Sequence, residues 1–159
     1  MSEPTITDIQ EVVFVGHLIR RAQQIHTAAW ATEVSDKVTS PQAFVLRALE
    51  RESDMDQRTL ARVASLDRST AAGVVERLIA RGQIERTRDP LDRRRNVLRI
   101  TPLGEQVLHE LEPRTREMNV HLLELLPTAE RAQFVRLLRD FIASAEGGAA
   151  QAAERDAAG

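Results

Sequence analysis

The chain has 159 residues, 42% of them hydrophobic and 29% charged, enough for one globular domain with a real core. It has no cysteine, which excludes disulfides, thiolate metal sites and thiol redox sensing. It also lacks any apolar run of the roughly 18 residues that a membrane helix needs. The net charge of −2 conceals a split: Arg58 to Arg99 holds eleven arginines, no lysine and five acids, for +6, while the remainder holds eleven bases and nineteen acids, for −8. A basic lobe facing a polyanion and an acidic lobe facing away would favour one docking orientation; the bland alternative is a solvated arginine surface. Use of arginine throughout the stretch favours the first reading.

Residues 1 to 7 are a polar lead-in with Pro4, expected to be loose. From Asp8 to Val34 there is no proline, and Val15, Leu18, Ala22, Ile25 and Ala29 recur in a heptad-like series with Ile9, Val12 and Ile19 beside them. The pattern predicts a long helix, apolar on more than one side, for which a second subunit is the simplest cover. Ser40-Pro41 is a helix start, a capping hydroxyl followed by a proline whose missing N–H is not needed. The helix to about Arg51 offers Phe44, Val45, Ala48 and Leu49 to the core.

The stretch from Asp56 to Thr101 is the most informative. Asp56 caps a short helix with Leu60, Ala61, Val63 and Ala64 on one face. Asp67 caps a second, with Val74, Val75, Leu78 and Ile79 as its buried stripe and Gly82 as its end. Only Ala64, Ser65 and Leu66 lie between the first helix and the second cap, the turn length of a helix-turn-helix. After Gly82, runs at Ile84 to Arg88 and Val97 to Thr101 bracket Asp89-Pro90-Leu91-Asp92-Arg93-Arg94-Arg95-Asn96, which predicts a hairpin with a polar, arginine-loaded tip. Thr101-Pro102 opens a further helix to about Leu126, with a bend expected at Pro113. Its apolar positions are Val107, Leu111, Met118, Leu122 and Leu125. Thr128 caps a last helix with a stripe at Phe134, Leu137, Leu138, Phe141 and Ile142.

The expected fold is mainly α with a small β-hairpin wing: a winged helix-turn-helix over 40–101 and a helical dimerisation region from 8–34 and 102–145. A disordered tail is expected over 146–159, which has no bulky apolar residue.

On Leu60-Ala61, Leu66 to Thr70, Arg77-Leu78, Arg81-Gly82 and above all Asp89-Pro90-Leu91-Asp92-Arg93-Arg94-Arg95, followed by Leu98-Arg99-Ile100-Thr101 and Gly104, the chain resembles the MarR family of winged helix-turn-helix transcriptional regulators. The resemblance covers roughly residues 10 to 145. It departs at Gly73, mid-helix where a side chain is usual, and at Gln83-Ile84, where Leu-Ile or Leu-Val is commoner. Close approach to DNA or to the wing would account for Gly73. The resemblance implies a cytoplasmic homodimer on an inverted-repeat operator in double-stranded DNA, acting as a repressor in the family's commoner mode. It also implies that the first helix and the last two interlock with those of a second chain. Without cysteine the chain cannot use the thiol-based peroxide sensing of some relatives.

At the head of the recognition helix Arg68, Ser69 and Thr70 supply a guanidinium and two hydroxyls for base edges or phosphate, although Ser69 and Thr70 could equally only reinforce the cap. Arg77 suits a phosphate clamp, and Ser40 sits at a helix N-terminus able to hold a phosphate. In the wing the resemblance makes Arg94 the minor-groove residue and Asp92 its orienting partner, with Arg93 and Arg95 on the flanking backbone. Relatives commonly bind small anionic aromatic compounds between the dimerisation helices and the winged domain. Here His17, Arg20, Arg21, Gln24 and Trp30 would suit an aromatic carboxylate or an acyl-CoA thioester. The Arg58-to-Arg77 segment is also similar to regulators of aromatic-acid catabolism, including ones released by hydroxycinnamoyl-CoA. The competing readings are that Trp30 is plain core with Arg20 and Arg21 paired to acids of a second chain, and that the protein is a ligand-independent or architectural DNA binder. His17, His26, His109 and His121 stand at no metal-ligand spacing, and neither His-Glu-x-x-His, Gly-x-Ser-x-Gly nor a phosphate-cradling glycine loop is present. No catalysis, cofactor or metal is expected.

Overall fold

The computed structural model describes residues 9–89, 92 and 95–157, and the side chains of 14–148 among them. The elements in order are α1 (Ile9–Ala29), a wide π turn (Trp30–Val34), α2 (Ser40–Arg51), α3 (Gln57–Val63), α4 (Arg68–Ala80), β1 (Ile84–Arg88), β2 (Asn96–Ile100), α5 (Pro102–Glu124) and α6 (Thr128–Ala157). They fall into two compact units, 1–118 and 119–159.

In the first unit, Leu46, Leu49, Leu60, Val75 and Leu78 are at most 1% exposed and pack with Met55, Ile84, Leu98 and Leu108. Each such aliphatic side chain contributes about 1.5–3 kcal/mol by leaving water. Leu46 takes the core position expected of Phe44, which is 54% exposed, because α2 turns its 45, 46, 49 edge inward. Val63, expected on the buried face of α3, is 45% exposed, and Leu60 and Ala61 carry that face.

The cap of α2 is Thr39, not Ser40. Thr39 is extended (φ −75°, ψ 157°) and its N–H donates to Gln42 Oε1 at 3.0 Å, so Ser40 becomes the first helical residue. Asp56 and Asp67 cap as expected, accepting from Thr59 N at 2.8 Å and from Ser69 N and Thr70 N at 3.0 and 2.9 Å. The end of α4 is a Schellman turn: Gly82 N donates to Ile79 O and Gln83 N to Leu78 O, with Gly82 at φ +68°. The hairpin pairs Ile84 with Ile100 through Arg88 with Asn96, antiparallel, and Leu98 also forms an isolated bridge to Met55.

α1 is exposed at nearly every described position up to Ala28, including Phe14 at 57% and Leu18 at 62%. α5 continues unbroken through Pro113. In the second unit, the α6 stripe of Phe134, Leu137, Leu138, Phe141 and Ile142 is 43–57% exposed. The tail expected to be disordered over 146–159 is helical as far as it is described, since α6 runs to Ala157. Its alanine-rich, proline-free composition favours the helix, and Gly147 and Gly148 each cost only about 1 kcal/mol against that. Among the described residues no helix is long and apolar enough to cross a membrane.

Candidate nucleic-acid interface

The turn between α3 and α4 is a second Schellman arrangement, with Leu66 N donating to Ala61 O at 2.9 Å and Ser65 N to Arg62 O at 3.1 Å. It places Ser65 at φ +52°, a left-handed conformation that a serine adopts at some cost. The turn delivers the N-terminus of α4 to the surface, where Arg68, Ser69 and Thr70 are all exposed.

Both hydroxyls are engaged. Ser69 Oγ donates to Asp67 Oδ1 at 2.6 Å and Thr70 Oγ1 donates to Asp67 Oδ2. These donors, Ser69's first, hold the Asp67 carboxyl far below the usual carboxylate range. Ser69 and Thr70 therefore reinforce the cap, and their oxygen lone pairs remain to accept. Arg68 has no partner among the described residues and presents an unneutralised guanidinium.

Arg77 lies one helical step beyond Gly73 and folds back over it: a Cβ on Gly73 would meet Arg77 Nη1 at 3.4 Å. The vacancy at Gly73 is thus filled by Arg77 itself. Ser40 is only 8% exposed, so any phosphate there would meet backbone N–H groups more than its hydroxyl. Arg58 and Arg62, exposed on α3 and unpartnered among the described residues, were not singled out by motif; their signal is the arginine spacing of α3.

Other arginines of the basic stretch are neutralised locally. Arg86 pairs with Glu76 at 2.7 Å, Arg99 with Asp54, and Arg95 with Asp56 at 2.9 Å, while Arg81 donates to Lys37 O at 2.8 Å. Arg95, expected on the DNA backbone, is therefore held by the chain's own carboxylate. In the wing tip, Arg95 N donates to Asp92 O at 2.9 Å and Asp92 N to Asp89 Oδ1 at 3.3 Å. Arg93 and Arg94 lie outside the described residues.

The five residues expected to bind an effector separate into two groups. His17, Arg20, Arg21 and Gln24 are exposed on α1, and Arg21 Nη1 donates to Gln24 Oε1 at 3.0 Å. Trp30 is 5% exposed, its Nε1 donates to Val38 O at 2.6 Å, and its ring centroid lies 6.2 Å from that of His26. Its indole belongs to the core, because the π turn swings it inward to close the joint between α1 and α2. A surface trough of about 800 Å³ in the first unit is lined by Ser35, Lys37, Arg81, Gln83 and Arg114 among others, and by none of these five. Among the described residues no group of three histidines or carboxylates is arranged to hold a metal.

An exposed recognition-helix terminus carrying a guanidinium, mounted by a tight turn on α3 beside an arginine-rich hairpin, defines a winged helix-turn-helix DNA-binding regulator. Residues 38–95 match the MarR family. The HTH-type transcriptional repressor NicR of Pseudomonas putida is 35% identical over 133 residues, 83% of this chain and 84% of that protein. Among solved structures, the PcaV transcriptional regulator from Streptomyces coelicolor in complex with its natural ligand is similar with a TM-score of 0.76 and 42% identity, covering 91% of this chain and 99% of that one. Bordetella bronchiseptica BpsR, whose DNA binding is regulated by 6-hydroxynicotinic acid, is similar with a TM-score of 0.72 and 34% identity, covering 80% of this chain and 97% of that one. The chain belongs to the MarR family, and it is a transcriptional regulator rather than an enzyme.

Proposed function

We propose that this protein is a cytoplasmic homodimeric repressor that binds an inverted-repeat operator and is released by a small aromatic carboxylic acid. The observation that carries the reading is the α4 terminus, where Arg68, Ser69 and Thr70 are exposed on a rigid cap. Arg68 reads a base edge, Ser69 and Thr70 accept or donate at bases or phosphate, and Arg77 with the α2 terminus at Ser40 clamps the backbone. Arg94, oriented by Asp92, enters the minor groove, with Arg93 beside it.

The exposed apolar faces of α1 and of α6 support dimerisation, each being too large to leave in water on a monomer. His17, Arg20, Arg21 and Gln24 recur at helical spacing on one side of α1 and supply cationic and amide donors for a carboxylate. The regulation of BpsR by 6-hydroxynicotinic acid favours a free aromatic acid over its acyl-CoA thioester. Trp30 supports that face from the core and makes no contact of its own.

The test is thermal-shift screening of the full chain against aromatic carboxylic acids and their CoA thioesters, followed by titration of any hit into the protein–DNA complex. A hit that lowers operator affinity about 100-fold corresponds to roughly 2.7 kcal/mol of coupling. Absence of any hit, with tight operator binding retained, would favour a regulator without an effector. A monomer indifferent to duplex DNA at low salt would overturn the whole reading.

A further inference from the structure

Three consecutive residues between α2 and α3 hold the wing. Met55 O accepts from Leu98 N at 2.8 Å, Asp54 pairs with Arg99, and Asp56 pairs with Arg95 at 2.9 Å. Met55 is 5% exposed and anchors the trio in the core, while the two carboxylates stand on either side of it at the surface. Asp54 is at φ +64°, the conformation that brings its side chain to Arg99. Asp56 does two jobs at once: it caps α3 through Thr59 N and grips the base of the wing through Arg95, whose other terminal nitrogen lies 3.9 Å from Asp89.

We propose that Asp54 and Asp56 are positioning residues for DNA binding, fixing the angle between the wing and the helix-turn-helix through Arg99 and Arg95, and that Arg95 acts through Asp56 rather than on phosphate. The inference rests on the reading that this chain binds duplex DNA with its wing. The charge arithmetic supports it. With Asp56 at 2.9 Å and Asp89 at 3.9 Å, part of the Arg95 charge is offset by the chain's own carboxylates, which lowers what it adds to counterion release. The wing also reaches the rest of the first unit through Arg86 of β1, to Glu76 and Gln57, and through Thr101, to the Gly82-Gln83 turn. Loss of the Asp56 grip removes the ion pair that ties Arg95 to the turn before α3.

This assignment makes a prediction opposite to simple electrostatics. Removing a carboxylate near DNA should tighten binding, yet Asp56→Asn should weaken it. Asparagine is as good a helix cap as aspartate, so α3 is kept. The experiment measures binding of the full chain and its variants to a duplex selected by the wild type from a random pool, as a function of salt, with thermal unfolding as a folding control. Expected are about tenfold weaker binding for Asp56→Asn and for Arg95→Ala, no further loss in the double variant, partial recovery in Arg95→Lys, and a salt slope unchanged from wild type. Arg77→Ala, the comparison at a residue placed on phosphate, should lower the slope by about one. If Arg95→Ala lowers the slope by about one while Asp56→Asn binds as well as or better than wild type, Arg95 is a phosphate contact and the inference is overturned. Unchanged binding in both variants overturns it too. Failure of the wild type to select any duplex would instead overturn the DNA-binding reading itself.

Discussion

The carbonyl oxygen of Gln83 stands where Gly104 can have no side chain: a Cβ on Gly104 would lie 2.1 Å from it and 2.8 Å from Ile100 Cγ1. That carbonyl also accepts from Thr101 N at 3.1 Å, while Thr101 Oγ1 donates to Gly82 O at 2.6 Å. The first turn of α5 is thereby locked onto the turn between α4 and β1. Gly104→Ala must move backbone, not a flexible side chain. The expected cost is about 1–3 kcal/mol or more, read as a lower urea midpoint. A midpoint equal to wild type would show that the close approach relaxes freely.

Gly73 is the opposite case. Among the described residues the nearest atoms a Cβ would meet belong to the guanidinium of Arg77, from 3.4 Å, and the glycine is in a helix interior. Gly73→Ala should therefore stabilise the protein by about 0.5–1 kcal/mol, seen as a higher melting temperature. A loss of stability would mean that Arg77 cannot give way.

The Asp67 carboxyl is held well below its ordinary value of 3.8, first by the Ser69 hydroxyl and then by Thr70. A depressed native pKa contributes stability that is present above the unfolded value and is lost as pH falls through the native one. The stability gap between wild type and Asp67→Ala should accordingly stay level from neutral pH down to about 4 and close only in stronger acid. Chemical denaturation across that range checks it, and a gap that closes between pH 7 and 5 would contradict the assignment.

Trp30 gives a further contrast. Because its indole N–H is committed to Val38 O at 2.6 Å in the core, Trp30→Phe orphans a carbonyl, costing about 1–3 kcal/mol before any cavity term. Binding of an aromatic acid, measured by calorimetry well below the variant's melting temperature, should be unaffected. A selective loss of ligand affinity with stability intact would restore Trp30 to the effector site.

The helix-turn-helix was legible because its signals are local. Asp56 and Asp67 reach N–H groups two or three residues on, Gly82 closes the turn just behind it, and Val74, Val75 and Leu78 repeat at helical spacing. The neighbouring misreadings were also local. Thr39 and Ser40 are both plausible caps, decided by Gln42 three residues after Thr39. Phe44 and Leu46 compete for one core position, decided by the rotation of α2 against α4 and β2. The lack of bulky apolar residues after Gly147 suggested disorder, but the alanines there carry the helix on to Ala157.

What the amino-acid order determined alone was the set of caps, stripes and turn residues that make a winged helix-turn-helix, and the concentration of arginine upon it. Which of those arginines remain available was decided only by tertiary structure. Arg95 meets Asp56 across 39 positions, Arg99 meets Asp54 across 45 and Arg81 meets Lys37 across 44. Hydrogen bonds within a helical turn are encoded in spacing, whereas ion pairs between distant elements exist only once the core of Leu46, Leu60, Leu78 and Leu98 has brought their backbones together.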